Sequence, residues 1–133
     1  MSKQIYVNLP VADLPKSVAF FEALGFSKNP QISDDKGACI VISDTIFVIL
    51  SAREQFMQFS PKPICDTSKV LEVLLCLQCE SRAEVDDMAS KAVAAGAADH
   101  EATDYGFMYQ RSFIDLDGHA WALNFMNDAP QQS

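Results

Sequence analysis

The stretch Val7-Asn-Leu-Pro-Val-Ala-Asp-Leu-Pro-Lys-Ser-Val-Ala-Phe-Phe-Glu-Ala-Leu-Gly25 decides how the rest of the chain is read. It begins inside a β run, Ile5 to Val11, where Val7, Leu9 and Val11 alternate with Asn8 and Pro10. Asp13 is a good helix N-cap, and Pro15 is tolerated in a first turn. Leu14, Val18, Phe21 and Leu24 then recur at helical spacing, which predicts an amphipathic helix. Gly25 stops it, because glycine takes the left-handed conformation at a helix end at little cost. Two more β runs follow, Ala38 to Ile42 and Thr45 to Leu50, with Ser43-Asp44 as a tight turn.

The same order of signals returns in the second half. Val70 to Cys79 is a β run, and Ser81-Arg-Ala-Glu84 forms a capping box. Val85, Met88, Ala92 and Ala95 give the helical stripe, and Gly96 ends it. Met108 to Ile114 and Ala120 to Phe125 are strands joined by Asp115-Leu-Asp-Gly118. The chain therefore reads as α+β, with similar modules over residues 1–52 and 70–127. Residues 53–69, with Pro61, Pro63 and the apolar patch Phe56-Met-Gln-Phe59, read as a linker with one helical turn, and 128–133 as a polar tail.

Composition removes several function classes. The formal charge is −8, from 18 acidic and 10 basic residues, and Lys and Arg are scattered, so a nucleic-acid or anionic-membrane partner is not expected. No apolar run approaches the ~20 residues that span a bilayer. The start, Met1-Ser-Lys-Gln4, lacks signal-peptide features, and a cytoplasmic location is expected. Cys76 and Cys79 form a C-x-x-C, but residues three apart on a strand point to opposite faces. They read as small buried hydrophobes rather than a redox or zinc pair.

Two stretches carry a family likeness. Val7–Gly25 resembles the first strand and helix of the vicinal oxygen chelate superfamily, which includes glyoxalase I, fosfomycin-resistance enzymes, extradiol dioxygenases and bleomycin-binding proteins. Phe113-Ile-Asp-Leu-Asp-Gly-His-Ala-Trp121 resembles the last hairpin of the same superfamily. The resemblance runs from Ile5 to about Asn127. It implies paired βαβββ modules whose mixed or antiparallel sheets curl into a cup, with the helices outside. In metal-dependent members, four cup-facing strand positions supply His, Gln or Glu to one divalent ion. Those positions carry over to Tyr6, a residue near Val48, about Leu74, and Ala122. Ala, Val and Leu offer such an ion nothing, so no metal and no other cofactor is expected.

Strand alternation then selects candidate site residues. With Val7, Leu9 and Val11 against the helix, Tyr6 and Asn8 face the other way. Glu72, Leu74, Cys76 and Gln78 share one face of the second module's first strand, and Ala122 and Asn124 one face of its last. Asp104-Tyr-Gly-Phe-Met-Tyr-Gln-Arg-Ser-Phe113 is the densest aromatic and polar run. Counted back from the turn, its Gln110 and Ser112 match inward positions of fosfomycin-resistance relatives, which implies that Tyr109 and Arg111 lie opposite, and Tyr105 could line the rim. The candidate ligand-binding set is Tyr6, Asn8, Glu72, Gln78, Tyr105, Gln110 and Ser112, and no residue is assigned a catalytic role. His119 reads as a locally bonded turn residue, His100 as part of a solvated loop cluster, and Asp115–Gly118 as a turn rather than a calcium loop.

Three functions are compatible with these residues. The first is a small-molecule binder working in the cup without a catalytic metal, for which an acidic balance and aromatic faces suit cationic ligands. The second is a metal-dependent glyoxalase-type lyase or isomerase, or a resistance transferase, acting on a small carbonyl compound or epoxide. The third is a scaffold without a ligand. A homodimer fits all three, and the modules could pair within one chain or across two.

Overall fold

The structure, a computed structural model, describes residues 3–126, apart from the side chains of His100 and Glu101. The chain divides into two units, Met1–Cys65 and Asp66–Ser133. Among the described residues no helix is long and apolar enough to cross a membrane.

The first unit is a βαβββ module. Strand β1 (Ile5–Val11) leads into helix α1 (Leu14–Ala23), and strands β2 (Ser27–Asn29), β3 (Gly37–Val41) and β4 (Ile46–Ala52) follow. The sheet order is β1-β4-β3-β2, with β1 and β4 parallel and the other pairs antiparallel. The Asp13 carboxylate accepts the Lys16 N–H at 3.2 Å, capping α1. At its other end Gly25 has φ +105°, and Phe26 N–H reaches Phe21 O while Gly25 N–H reaches Glu22 O. Those two bonds make a Schellman motif and satisfy the last carbonyls of the helix. Helix α1 buries Leu14, Ser17, Val18, Phe20 and Phe21. They pack over the face of the sheet that carries Leu9, Val11, Ile40, Val48 and Leu50, all buried. Each of these apolar side chains, once removed from water, contributes ~1.5–3 kcal/mol to folding. Helix α2 (Arg53–Phe59) lies in the stretch read as a linker.

The second unit repeats the plan with strand β5 (Leu74–Gln78), helix α3 (Arg82–Ala94) and strands β6 (Ala98–Asp104), β7 (Met108–Ile114) and β8 (Ala120–Met126). Its order is β5-β8-β7-β6, again with the first and last strands parallel. The Ser81 hydroxyl accepts Glu84 N–H, and the Glu84 carboxylate reaches back to Glu80 N–H at 2.7 Å. Gly96 and Ala97 close α3 with the same pair of bonds seen after α1. Val85, Ala89 and Ala92 are fully buried, the alanines letting the helix sit close to the sheet. Beneath them lie Phe113, Trp121 and Leu123, with the Phe113 and Trp121 rings in register and stacked at 6.4 Å.

Two expectations change. The β run from Val70 becomes a strand only at Leu74, opposite Ala120, where β8 begins. Upstream no strand among the described residues pairs with the chain, and Lys69 and Val70 donate to Asp66 O in a turn. Glu72 is therefore exposed and lies outside the strand whose alternation was to orient it. The position near Val48 also shifts. Val48 pairs with Val7 and Ile40 and is buried at 1% exposure. The opposite face of β4 carries Phe47 and Ile49.

Candidate functional site

Each sheet has one face packed on its helix and one that is not. In the first unit the helix-free face carries Tyr6 and Asn8, in register with Phe47 and Ile49. The Tyr6 and Phe47 rings stack at 4.7 Å with 13° between planes, a pairing worth ~0.5–1.5 kcal/mol beyond area burial. Tyr6 is 46% exposed, so the stack is a surface platform rather than part of the core. The Asn8 amide donates to Tyr6 O at 3.3 Å.

In the second unit the register builds polar rows across the strands. Gln78 of β5 pairs with Asn124 of β8, Asn124 with Gln110 of β7, and Gln110 with Thr103 of β6. Neighbouring strands lie ~4.8 Å apart, so three carboxamides stand in line, each able to donate and accept. No hydrogen bond among the described residues engages the side chains of Gln78, Gln110 or Asn124. The next row is Cys76, Ala122 and Ser112, and the one after it Leu74, Ala120 and Ile114. On β5, β7 and β8 this face carries no charged residue. Tyr105 sits in the β6–β7 turn, 53% exposed, with its ring 6.3 Å from that of Phe107.

Tyr109 and Arg111 fall on the helix-covered face and join a charged network. Arg82 of α3 lies 4.0 Å over the Tyr109 ring and pairs with Asp104 at 3.0 Å. The Tyr109 hydroxyl donates to the Asp86 carboxylate at 2.5 Å. That bond holds the phenol protonated and raises its pKa, with burial adding to the effect. Arg111 reaches Asp86 at 3.5 Å and Asp99 at 3.3 Å. The network pins α3 to β6 and β7. Its sequence signal was the i, i+4 placement of Arg82 and Asp86 opposite the alternating Tyr109 and Arg111.

The turn from Asp115 to His119 is a closed hydrogen-bonded unit. Asp115 Oδ1 accepts the N–H groups of Asp117 and His119, and Oδ2 accepts Trp121 Nε1–H at 3.0 Å. Both oxygens serve the turn itself, which matches the turn reading of Asp115–Gly118. Burial raises the Asp115 pKa, while His119 and these donors oppose the rise. His119, read as a locally bonded turn residue, is 8% exposed, and its N–H donates within the turn to Asp115. The His100 side chain lies outside the described residues. Of the C-x-x-C cysteines, Cys76 is exposed and Cys79 buried, both as free thiols. Burial pushes Cys79 up to about 11, the reverse of an activated thiol.

Known proteins place these features in a lineage. The family described as bleomycin resistance protein-like N-terminal matches residues 3–43. A hypothetical protein from S. aureus is 35% identical over 95% of this chain and 94% of its own, with a TM-score of 0.78. A glyoxalase/bleomycin resistance protein/dioxygenase family enzyme from Burkholderia phytofirmans PsJN shares the fold. It is 21% identical, covers 94% of this chain and 99% of its own, and has a TM-score of 0.76. The N-terminal part of the chain is thus similar to a bleomycin resistance protein-like family, and the whole chain has the fold of glyoxalase/bleomycin resistance proteins. The fosfomycin resistance protein FosX from Listeria monocytogenes has the same fold, at 18% identity and a TM-score of 0.67 over 94% of this chain and 93% of its own. No curated protein matches the sequence.

The likeness to the vicinal oxygen chelate superfamily raises the question of a metal. The four positions carried over from metal-dependent members hold Tyr6, Val48, Leu74 and Ala122, and the register correction replaces Val48 by Phe47 or Ile49. One phenol among alkyl and phenyl groups does not make a site for a divalent ion. Among the described residues no three His, Cys, Asp or Glu side chains come together as a metal-holding group. The residues present do not fit the superfamily's metal.

Proposed function

We propose that this chain is a vicinal oxygen chelate protein that binds a small molecule on the helix-free faces of its sheets without a catalytic metal. Tyr6 and Asn8 would supply contacts in the first unit, and Gln78, Gln110 and Ser112 in the second, with Tyr105 at the turn beside them. The observation that carries the reading is the residue set at the four positions expected to hold a metal, which offers no donor besides the Tyr6 phenol. Support also comes from the row of three carboxamides, which no described internal bond engages. Glu72 drops out of the set, and with it the acid expected to favour a cation. An uncharged ligand rich in hydrogen-bonding groups suits these faces better.

The test has two readouts. Protein purified without a metal-affinity tag is offered Zn²⁺, Ni²⁺, Mn²⁺ and Fe²⁺, and its metal content is measured by mass spectrometry. Near-stoichiometric metal would overturn the proposal and bring the glyoxalase-type reading forward. A fragment screen by NMR should then shift the side-chain amides of Gln78, Gln110 and Asn124, and Tyr6→Ala should weaken ligands that touch the first unit.

We also infer a cytoplasmic homodimer. Support comes from β5, an edge strand with Leu74 55% exposed, and from exposed Val70, Leu71 and Val73 just before it. Unprotected apolar edges of this kind favour pairing with a second chain. Light scattering that returns the 14.6 kDa monomer mass would refute it.

A further inference from the structure

The segment Arg53-Glu-Gln-Phe-Met-Gln-Phe-Ser-Pro-Lys-Pro-Ile64 follows the last strand of the first unit. Helix α2 runs from Arg53 to Phe59 and ends where Ser60 N–H meets Phe56 O. Pro61 and Pro63 cannot extend it. The chain turns back instead, with the Ser60 hydroxyl accepting Lys62 N–H at 3.2 Å and donating to Lys62 O. Arg53 and Met57, four apart on α2, share one side of the helix. Together with the returning segment they line an open pocket of about 480 Å³, within the size range of small-molecule sites.

Its walls have an unusual composition for this chain. Met57, Pro61, Pro63 and Ile64 supply apolar surface, and Arg53 and Lys62 supply two positive charges. No carboxylate lines the cavity, although the chain has 18 acidic and 10 basic residues. The ion pairs among the described residues all involve Arg82, Lys91 or Arg111 in the second unit, so neither Arg53 nor Lys62 is neutralised there. Met57 is 58% exposed, an apolar side chain left at the surface beside two cations.

We propose that this cavity is a binding site for a small organic carboxylate with an apolar body, separate from the sheet faces and independent of the function proposed for them. The guanidinium of Arg53 can take a carboxylate through two parallel N–H donors, and Lys62 adds a point charge. The four apolar walls take the aliphatic or ring portion that a bare anion lacks. Inorganic phosphate gains the charges alone and binds more weakly. A nucleic acid would need a longer basic track than two residues.

Octanoate is the probe, and octanamide, of the same shape but uncharged, is its control. Titration of the full chain with octanoate, followed by backbone amide NMR and calorimetry, should shift residues 53–64 and saturate at millimolar concentration. Octanamide should bind about tenfold more weakly, as should octanoate to the R53Q/K62Q double variant, and affinity should fall with added salt. Both side chains are exposed and make no described ion pair, so the variant should keep its circular dichroism spectrum and Tm. The proposal is overturned if octanoate produces no shifts at residues 53–64. It is equally overturned if octanamide binds as well, if R53Q/K62Q binds unchanged, or if phosphate competes with octanoate at equal concentration.

Discussion

Replacing Asp115 by alanine should cost the second unit a large part of its stability. The side chain holds three donors: Asp117 N–H at 2.9 Å, His119 N–H at 3.0 Å and the indole N–H of Trp121 at 3.0 Å. A hydrogen bond to a charged group contributes ~1.5–3 kcal/mol net, and the indole bond is buried enough to count in full. The two backbone donors lie in a tight turn where water can partly replace the carboxylate, and they add ~0.5 kcal/mol each. Against this, burial raises the Asp115 pKa, so the fold holds the ionised carboxylate at some cost, which the substitution relieves. The expected net loss at neutral pH is ~2–3 kcal/mol, out of the ~3–10 kcal/mol available to a unit of this size. Urea unfolding followed by tryptophan fluorescence reads this directly, because Trp121 is the single tryptophan of the chain. The pH dependence has a defined sign. A carboxyl whose folded pKa lies above its unfolded value stabilises most in acid, and that contribution declines as pH rises through the folded pKa. The gap between wild type and Asp115→Ala should therefore narrow between acid and neutral pH. A loss under ~0.5 kcal/mol at neutral pH would refute the account of the turn.

Three further outcomes are expected. Tyr109 should titrate above its ordinary value by ultraviolet absorbance, and Asp86→Asn should bring it down, since Asp86 accepts the Tyr109 hydroxyl. The stabilisation from Tyr109 is complete below its unfolded pKa and is lost as pH rises through the folded one. A thiol reagent should modify Cys65 and Cys76 quickly and reach Cys39 and Cys79 only on unfolding, two cysteines whose burial raises their pKa, Cys79 to about 11. Gly118→Ala should destabilise by ~2 kcal/mol in thermal or urea melts, because φ is +84° and the new Cβ would lie 2.8 Å from Thr67 Cβ. Gly106→Ala, with φ +90° and open space around it, should lose only ~1 kcal/mol.

The helices were legible from sequence because their start and stop signals are local. Asp13 and Ser81 cap, Gly25 and Gly96 end, and the structure uses all four in those roles. Strands β2 and β6 were not legible. Ser27–Asn29 and Ala98–Asp104 show no apolar alternation, and they are strands because β3 and β7 offer them edges. Val70–Val73 erred the other way, having β-forming residues but no partner strand among the described residues. Alternation placed Tyr6, Asn8 and Gln78 on the helix-free faces, because a period of two survives small errors at strand ends, and the family likeness placed Gln110 and Ser112 there. At Val48 an error of one residue changed the face outright. The salt bridges of Arg111 and the burial of His119 depend on contacts between elements, which no spacing along the chain reports.

The parallel pairing of the first and last strands also dictates when each unit can form during synthesis. Ile5 meets Ile46, and Leu74 meets Ala120, so the opening strand of a module waits for nearly the whole module to be made. Helices α1 and α3 can form early, but the sheets they cover cannot close until β4 or β8 has left the ribosome. Such long-range pairings slow folding, because the chain between the partners must be ordered before the contact rewards it. The first unit has all its strands by Ala52, so it can fold while the second is still being translated. In the second unit the closing strand ends at Met126, and a nascent chain exposes the apolar stretch from Val70 to Leu77 until that strand arrives.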